Sequence, residues 1–191
     1  MTDNNKSHQL AAIVFTDIVG YTATMDQDES KAMKMLAQVR EIVASVVPEF
    51  KGELLKEIGD GSLLTFKSAN NAVNCSIAIQ KQIQEHEDLE LRIGVHLGDV
   101  ITEGDDVFGS GVNIASRIEN IASAGEICIS RSIYEQIKNQ KHLELLYIFV
   151  SMRFSIFLRI SIINFWSKNF PKKKRFENII SKCLEIFEIL G

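Results

Sequence analysis

A chain of 191 residues, 46% hydrophobic and 24% charged, can bury one sizeable core and falls among globular proteins rather than disordered or fibrous ones. Its net charge of -4 hides two unlike stretches: residues 1–140 carry 12 basic and 21 acidic side chains (12 - 21 = -9), and residues 141–191 carry 9 and 4 (9 - 4 = +5). An acidic main body argues against nucleic acid as a partner, because phosphate-backbone binding needs a basic face.

Three cysteines, Cys75, Cys128 and Cys183, stand far apart without CxxC or histidine spacing. They read as free thiols packed like small apolar residues. The N-terminus, MTDNNKSHQL, has no apolar signal core, so a cytoplasmic location is expected.

In chain order, Ala11 to Ile18 is a continuous apolar, β-branched run that ends at polar Asp17, the pattern of a buried strand. Asp26, with Glu29 three residues on, fits a capping box for the next segment. There Ala32, Met35, Leu36, Val39, Ile42, Val43 and Val46 recur at helical spacing until Pro48. Residues 52–58 and 62–66 flank Gly59-Asp60-Gly61, a hairpin signal. Ala69, Ala72, Val73, Ile77, Ala78 and Ile83 give a second amphipathic helix.

Residues 91–97 and 100–102 read as strands separated by a turn at Gly98-Asp99. A helix over 111–122, a short strand over 127–129 and a helix over 132–138 complete the series. Strand, helix, hairpin, helix, hairpin, helix, strand, helix is an α+β order. It predicts helices packed on a largely antiparallel sheet, close to the ferredoxin-like plan.

Asp17 at a strand end and Asp60 at a hairpin tip fall at one sheet edge if their strands are neighbours. Two carboxylates about 4 Å apart repel by ~4 kcal/mol at an effective dielectric near 20, so such a pair calls for a cation or a shared proton. Hard divalent ions take oxygen ligands of this kind together with substrate phosphates. Each aspartate alone is more often a turn or cap residue than a ligand.

Three segments together go further. Phe15-Thr16-Asp17-Ile18-Val19-Gly20-Tyr21-Thr22 resembles the first metal-binding stretch of the class III adenylate and guanylate cyclases. Lys56-Glu57-Ile58-Gly59-Asp60-Gly61 resembles the hairpin with the second metal aspartate. Asp106 to Ile118 (DVFGSGVNIASRI) resembles the third motif, with Asn113 seven residues after Asp106 and Arg117 four after that. The similarity covers roughly residues 8–140 and implies a catalytic domain over 8–142.

The resemblance implies Asp17, Asp60 and the carbonyl of Ile18 as ligands for two Mg²⁺ or Mn²⁺ ions. It implies Asn113 on the ribose and Arg117 on the charge developing at the α-phosphate, where losing one such donor typically costs ~10²–10³ in turnover. Lys56 and Asp106 fall at its base-reading positions. A lysine only donates and an ionised aspartate only accepts, which complements adenine at N1 and its 6-amino group. ATP is therefore the expected substrate, with GTP as the alternative. The resemblance also implies a homodimer in which the metal and base-reading residues of one subunit face the asparagine and arginine of the other. A catalytically inactive nucleotide-binding module is the rival reading.

Other motifs fail. Asp26-Gln27-Asp28 lacks the glycine and glutamate of a calcium loop, having Lys31 and Ala37 in those places. Gly109-Ser110-Gly111 lacks the third glycine of a dinucleotide fingerprint, since Ile114 stands there. His86 and His96 stand singly, and Arg92 reads equally as a phosphate contact or a surface charge.

After about Lys141 the resemblance stops, and the closing strand pair usual in the family is not recognisable. Three readings of 143–191 stay open. Leu143 to Ile163 is long enough to cross a bilayer, but Arg153 and Arg159 cost about 2.5–3.5 kcal/mol each, roughly cancelling the apolar gain. The segment could instead lie on a membrane surface. The abrupt change of composition favours the third reading, a tail left after a lost reading frame.

Overall fold

The computed structural model describes residues 7–103, 106–139, 149–152 and 155–160. Eight strands form one sheet in the order β2-β3-β1-β4-β6-β8-β7, with β5 paired to β4 off that path. The strands are β1 (Ser7–Ile18), β2 (Gly52–Ile58), β3 (Gly61–Phe66), β4 (Leu91–Glu103), β5 (Asp106–Phe108), β6 (Ile127–Ser130), β7 (Phe149–Met152) and β8 (Ser155–Ile160). All pairings are antiparallel except β4 with β6. The helices are α1 (Tyr21–Gln27), α2 (Glu29–Glu49), α3 (Ala69–Ile83), α4 (Ser110–Asn120) and α5 (Arg131–Ile137). This is the α+β architecture expected.

Strand β1 sits between β3 and β4 and is covered on both faces, which is why its sequence is apolar without alternation. Ala12, Val14 and Ile18 join the larger core with α2, α3 and α5; Ala11 and Ile13 join a smaller one with Ala115 of α4. On β4, Leu91, Ile93 and Val95 face the large core. The intervening Arg92, Gly94, His96 and Gly98 therefore face α4, since side chains alternate along a strand.

Two glycines permit that packing. A Cβ on Gly94 would lie 2.3 Å from the Glu119 amide nitrogen and 2.6 Å from the Ala115 carbonyl, so α4 rests directly on the backbone of β4. A Cβ on Gly98 would approach the Gly111 Cα to 3.0 Å.

Local expectations change at three places. The cap of α2 is Asp28, whose side chain accepts from the Lys31 amide at 2.9 Å; Asp26 lies inside α1, a short helix that the sequence reading missed. Asp28 has extended backbone angles (φ -150, ψ 89), which separates the two helices and fixes the cap there. Gly98-Asp99 is not a turn. Both residues pair with β1, opposite Ala11 and Leu10, and the glycine serves close helix approach instead.

The third change is the closing strand pair. β7 and β8 form a hairpin, and β8 extends the sheet beside β6, with Ile127 opposite Ile160 and Ser130 opposite Phe157. An unbroken apolar run reads equally as a span or a buried strand, and pairing with β6 decides it. Residues 149–152 and 155–160 of the candidate span are thus strands. Among the described residues no helix is long and apolar enough to cross a membrane. The remainder of the tail, with Lys172 to Arg175 and Cys183, lies outside the described residues.

Candidate active site

Asp17 is the next-to-last residue of β1, and Asp60 closes the two-residue loop between β2 and β3. Gly59 takes the left-handed conformation that this tight loop requires (φ 61). A Cβ on Gly61 would stand 2.3 Å from the Thr16 carbonyl, so only glycine lets β3 begin this close to β1. The Ser62 amide then donates to Thr16 Oγ1 at 3.1 Å, a buried bond that locks the register beside the two aspartates.

The aspartates come together. Burial first, and then the charge of Asp17, push the Asp60 carboxyl up; donation from its own amide and from the Ile18 amide pulls the other way. Ile18 therefore contributes its N–H to Asp60, while a ligand role for its carbonyl stays a proposal.

Arg92 stands directly opposite Asp17 in the β1–β4 register, and its Nη2 donates to Asp17 Oδ2. Its Nε lies 3.1 Å from Oε1 of Glu119, a side chain only 6% exposed on the inner face of α4. That contact is an ion pair without hydrogen-bond geometry, and both atoms are buried with no hydrogen-bond partner. Burial chiefly, and then the Asp17 charge, push the Glu119 carboxyl up to about 7, against the pull of Arg92. The bond to Asp17 chiefly raises the Arg92 guanidinium further above its usual range.

Asn113 and Arg117 lie one turn apart on the exposed face of α4, opposite the face that carries Ala115, Ile118 and Glu119 into the protein. Lys56 is exposed on β2, next to a bulge between Leu54 and Lys56, and stands opposite Leu63. Asp106 opens β5 opposite Glu103; its side chain lies outside the described residues. The structure thus brings Asp17 and Asp60 together, and keeps Asn113 and Arg117 on a separate surface.

Cys75 and Cys128 are buried, and burial pushes the Cys75 thiol up to about 12, consistent with a packing role there. His96 is lowered by burial.

Asp17 and Asp60 suit a divalent cation on their own chemistry: two converging carboxylates, one pushed up by burial and then by the charge of the other, carry negative charge that such an ion relieves. Among the described residues no group of three or more His, Cys, Asp or Glu side chains could hold a metal ion. Glu119 was not singled out in the sequence. Its signal was an acid within the apolar stripe Ala115, Ile118, Ala122 of an otherwise amphipathic helix.

The chain matches the family model described as "Adenylate and Guanylate cyclase catalytic domain" over residues 4–148. It is 37% identical over 152 residues to the "Putative adenylate cyclase 3" of Rhizobium meliloti, covering 75% of this chain and 26% of that protein. It is 30% identical to the "Adenylate cyclase" of Streptomyces coelicolor, covering 66% of this chain and 34% of that one. The chain thus spans a minor part of these relatives. Among solved structures it is similar to an adenylate/guanylate cyclase/hydrolase from Silicibacter pomeroyi, with TM-score 0.74, 26% identity, and coverage of 82% of this chain and 98% of that one. The adenylyl cyclase CyaB from P. aeruginosa shares the fold at TM-score 0.70 and 21% identity, over 82% and 96% of the two chains.

Proposed function

The chain belongs to the adenylate and guanylate cyclase catalytic-domain family, and we propose that it is an adenylate cyclase working as a homodimer, closing ATP to 3′,5′-cyclic AMP with release of pyrophosphate. The observation that carries this reading is the convergence of Asp17 and Asp60 at one sheet edge, held there by Gly61 and the Thr16–Ser62 bond. We assign the catalytic unit to residues 8–142 together with β7 and β8.

In this reading Asp17, Asp60 and the Ile18 carbonyl hold two Mg²⁺ or Mn²⁺ ions. Such ions lower the proton affinity of the ribose 3′-hydroxyl and neutralise the leaving phosphates. The two aspartates fix where the triphosphate lies, so that the 3′-oxygen, the α-phosphorus and the leaving oxygen fall in line. Asn113 orients the ribose. Arg117 donates to the α-phosphate as its charge grows in the transition state. Lys56 and Asp106 read the adenine edge by donating to N1 and accepting from the 6-amino group.

The placement of Asn113 and Arg117 supports a dimer. Asn113 and Arg117 lie on the face of α4 turned away from their own chain's aspartates, so a second subunit brings them to a metal pair. Exposed Leu10, Leu54, Ile58 and Phe108 supply apolar surface for that contact. One observation favours the inactive-module reading: Arg92 already occupies an oxygen of Asp17 that an ion needs.

The test is a product assay on the full-length protein with Mg²⁺ or Mn²⁺ and either ATP or GTP. Cyclic AMP made in preference to cyclic GMP, and lost at least ~10²-fold in Asp17→Asn, is expected if the aspartate carries a metal. Nucleotide binding without any cyclic product supports the inactive module. Preferential cyclic GMP overturns the reading of the base.

A further inference from the structure

One guanidinium stands among three carboxylates at the candidate metal site: Asp17, Asp60 and Glu119 all act on Arg92. Arg92 is committed to Asp17 through Nη2, while its Nε and Glu119 Oε1 face each other at 3.1 Å without bonding. Two buried polar atoms this close and both unsatisfied are uncommon, because burying such a group without a hydrogen bond is costly. A small rotation of the guanidinium would satisfy both, at the expense of its hold on Asp17.

We propose that Arg92 is an internal counter-ion of Asp17 that competes there with a divalent cation, and that Glu119 is the positioning residue that draws Arg92 aside when the cation takes that carboxylate. The inference rests on the reading of Asp17 as a metal ligand. A donated N–H and a metal ion compete for the same Oδ2 lone pairs, so the guanidinium must yield wherever the ion binds through that oxygen. The fork of an arginine side chain lets different nitrogens serve two carboxylates, which the point charge of a lysine does not. Gly94 makes the arrangement possible, since any Cβ there would push the Glu119 backbone away from β4. Ion and arginine are then linked ligands of Asp17, and whatever weakens one partner's hold strengthens the other's to the same degree.

The proposal requires opposite effects from two variants. Without nucleotide, Mn²⁺ binding to full-length protein is titrated by electron paramagnetic resonance, with Asp17→Asn as the reference that loses the site. Glu119→Gln takes away the charge that attracts Arg92, and its Mn²⁺ affinity falls about tenfold, the scale of one charge-assisted hydrogen bond. Arg92→Gln removes the competitor, and its affinity rises about tenfold. Arg92→Met, which keeps the apolar stem, replaces it if that variant does not fold.

Shifts in the same direction, no shift in either variant, or no Mn²⁺ binding that depends on Asp17 overturn the proposal. The outcome is separable from the cyclase reading because no turnover is measured. Opposite shifts in a protein that makes no cyclic nucleotide leave the counter-ion standing and the enzyme reading lost. Parallel shifts in an active enzyme do the reverse.

Discussion

Glu119 is a carboxylate inside an apolar contact, and its proton is held more tightly in the folded chain than in the unfolded one. Its folded value, near 7, lies above the ordinary 4.5. A raised carboxyl contributes stability that is fully present below about 4.5 and is lost as pH rises through about 7. Urea unfolding of wild type and Glu119→Gln at pH 5 and pH 8 reads this directly. Relative to the variant, wild type is expected to be less stable at pH 8 than at pH 5; equal differences at the two pH values contradict the assignment. The approach of Asp17 and Asp60 was legible in the sequence because each sits in a short contiguous pattern. Glu119 and the role of Arg92 were not, because their meaning comes from contact between a strand and a helix that the sequence does not place side by side.

Among the elements, α4 and β4 depend most on a single residue. Gly94→Ala places a methyl group 2.3 Å from the Glu119 amide, and neither backbone can give way without moving the helix. Overpacking of this kind costs about 1–3 kcal/mol. For a chain of this size that corresponds to a fall in Tm of roughly 2–12 °C. Differential scanning calorimetry checks it, and an unchanged Tm means that α4 does not rest on β4 there. Helices α2 and α3 and the β2–β3 hairpin were readable because each buries one regular stripe or ends in a tight glycine loop. β4 was misread as two strands: a glycine that admits a neighbouring helix looks the same in sequence as a glycine that turns the chain.

At the scale of the whole molecule, β8 covers the flank of β6, whose four residues are all buried. Ending the chain at residue 148 removes β7 and β8 and leaves that flank as an unpaired edge. Such an edge recruits other chains, so the truncated protein is expected to scatter light on mild heating, at a temperature below that of the full-length chain. A truncation that melts and stays clear like the full chain shows that the pairing contributes little. The closing strands escaped the sequence because their apolar run carries no alternation, and its distant partner β6 supplies the missing information.

The central position of β1 also has a cost in time. It is synthesised before its partners on both sides; Arg92, the cross-strand neighbour of Asp17, follows it by 75 residues. At ribosomal rates of about 5–20 residues per second, that gap lasts about 4–15 s. Throughout it the run Ala11-Ala12-Ile13-Val14-Phe15 has no β4 to pair with. The strand that delivers the candidate metal ligand is therefore an unpaired adhesive segment for that interval, open to a holding chaperone.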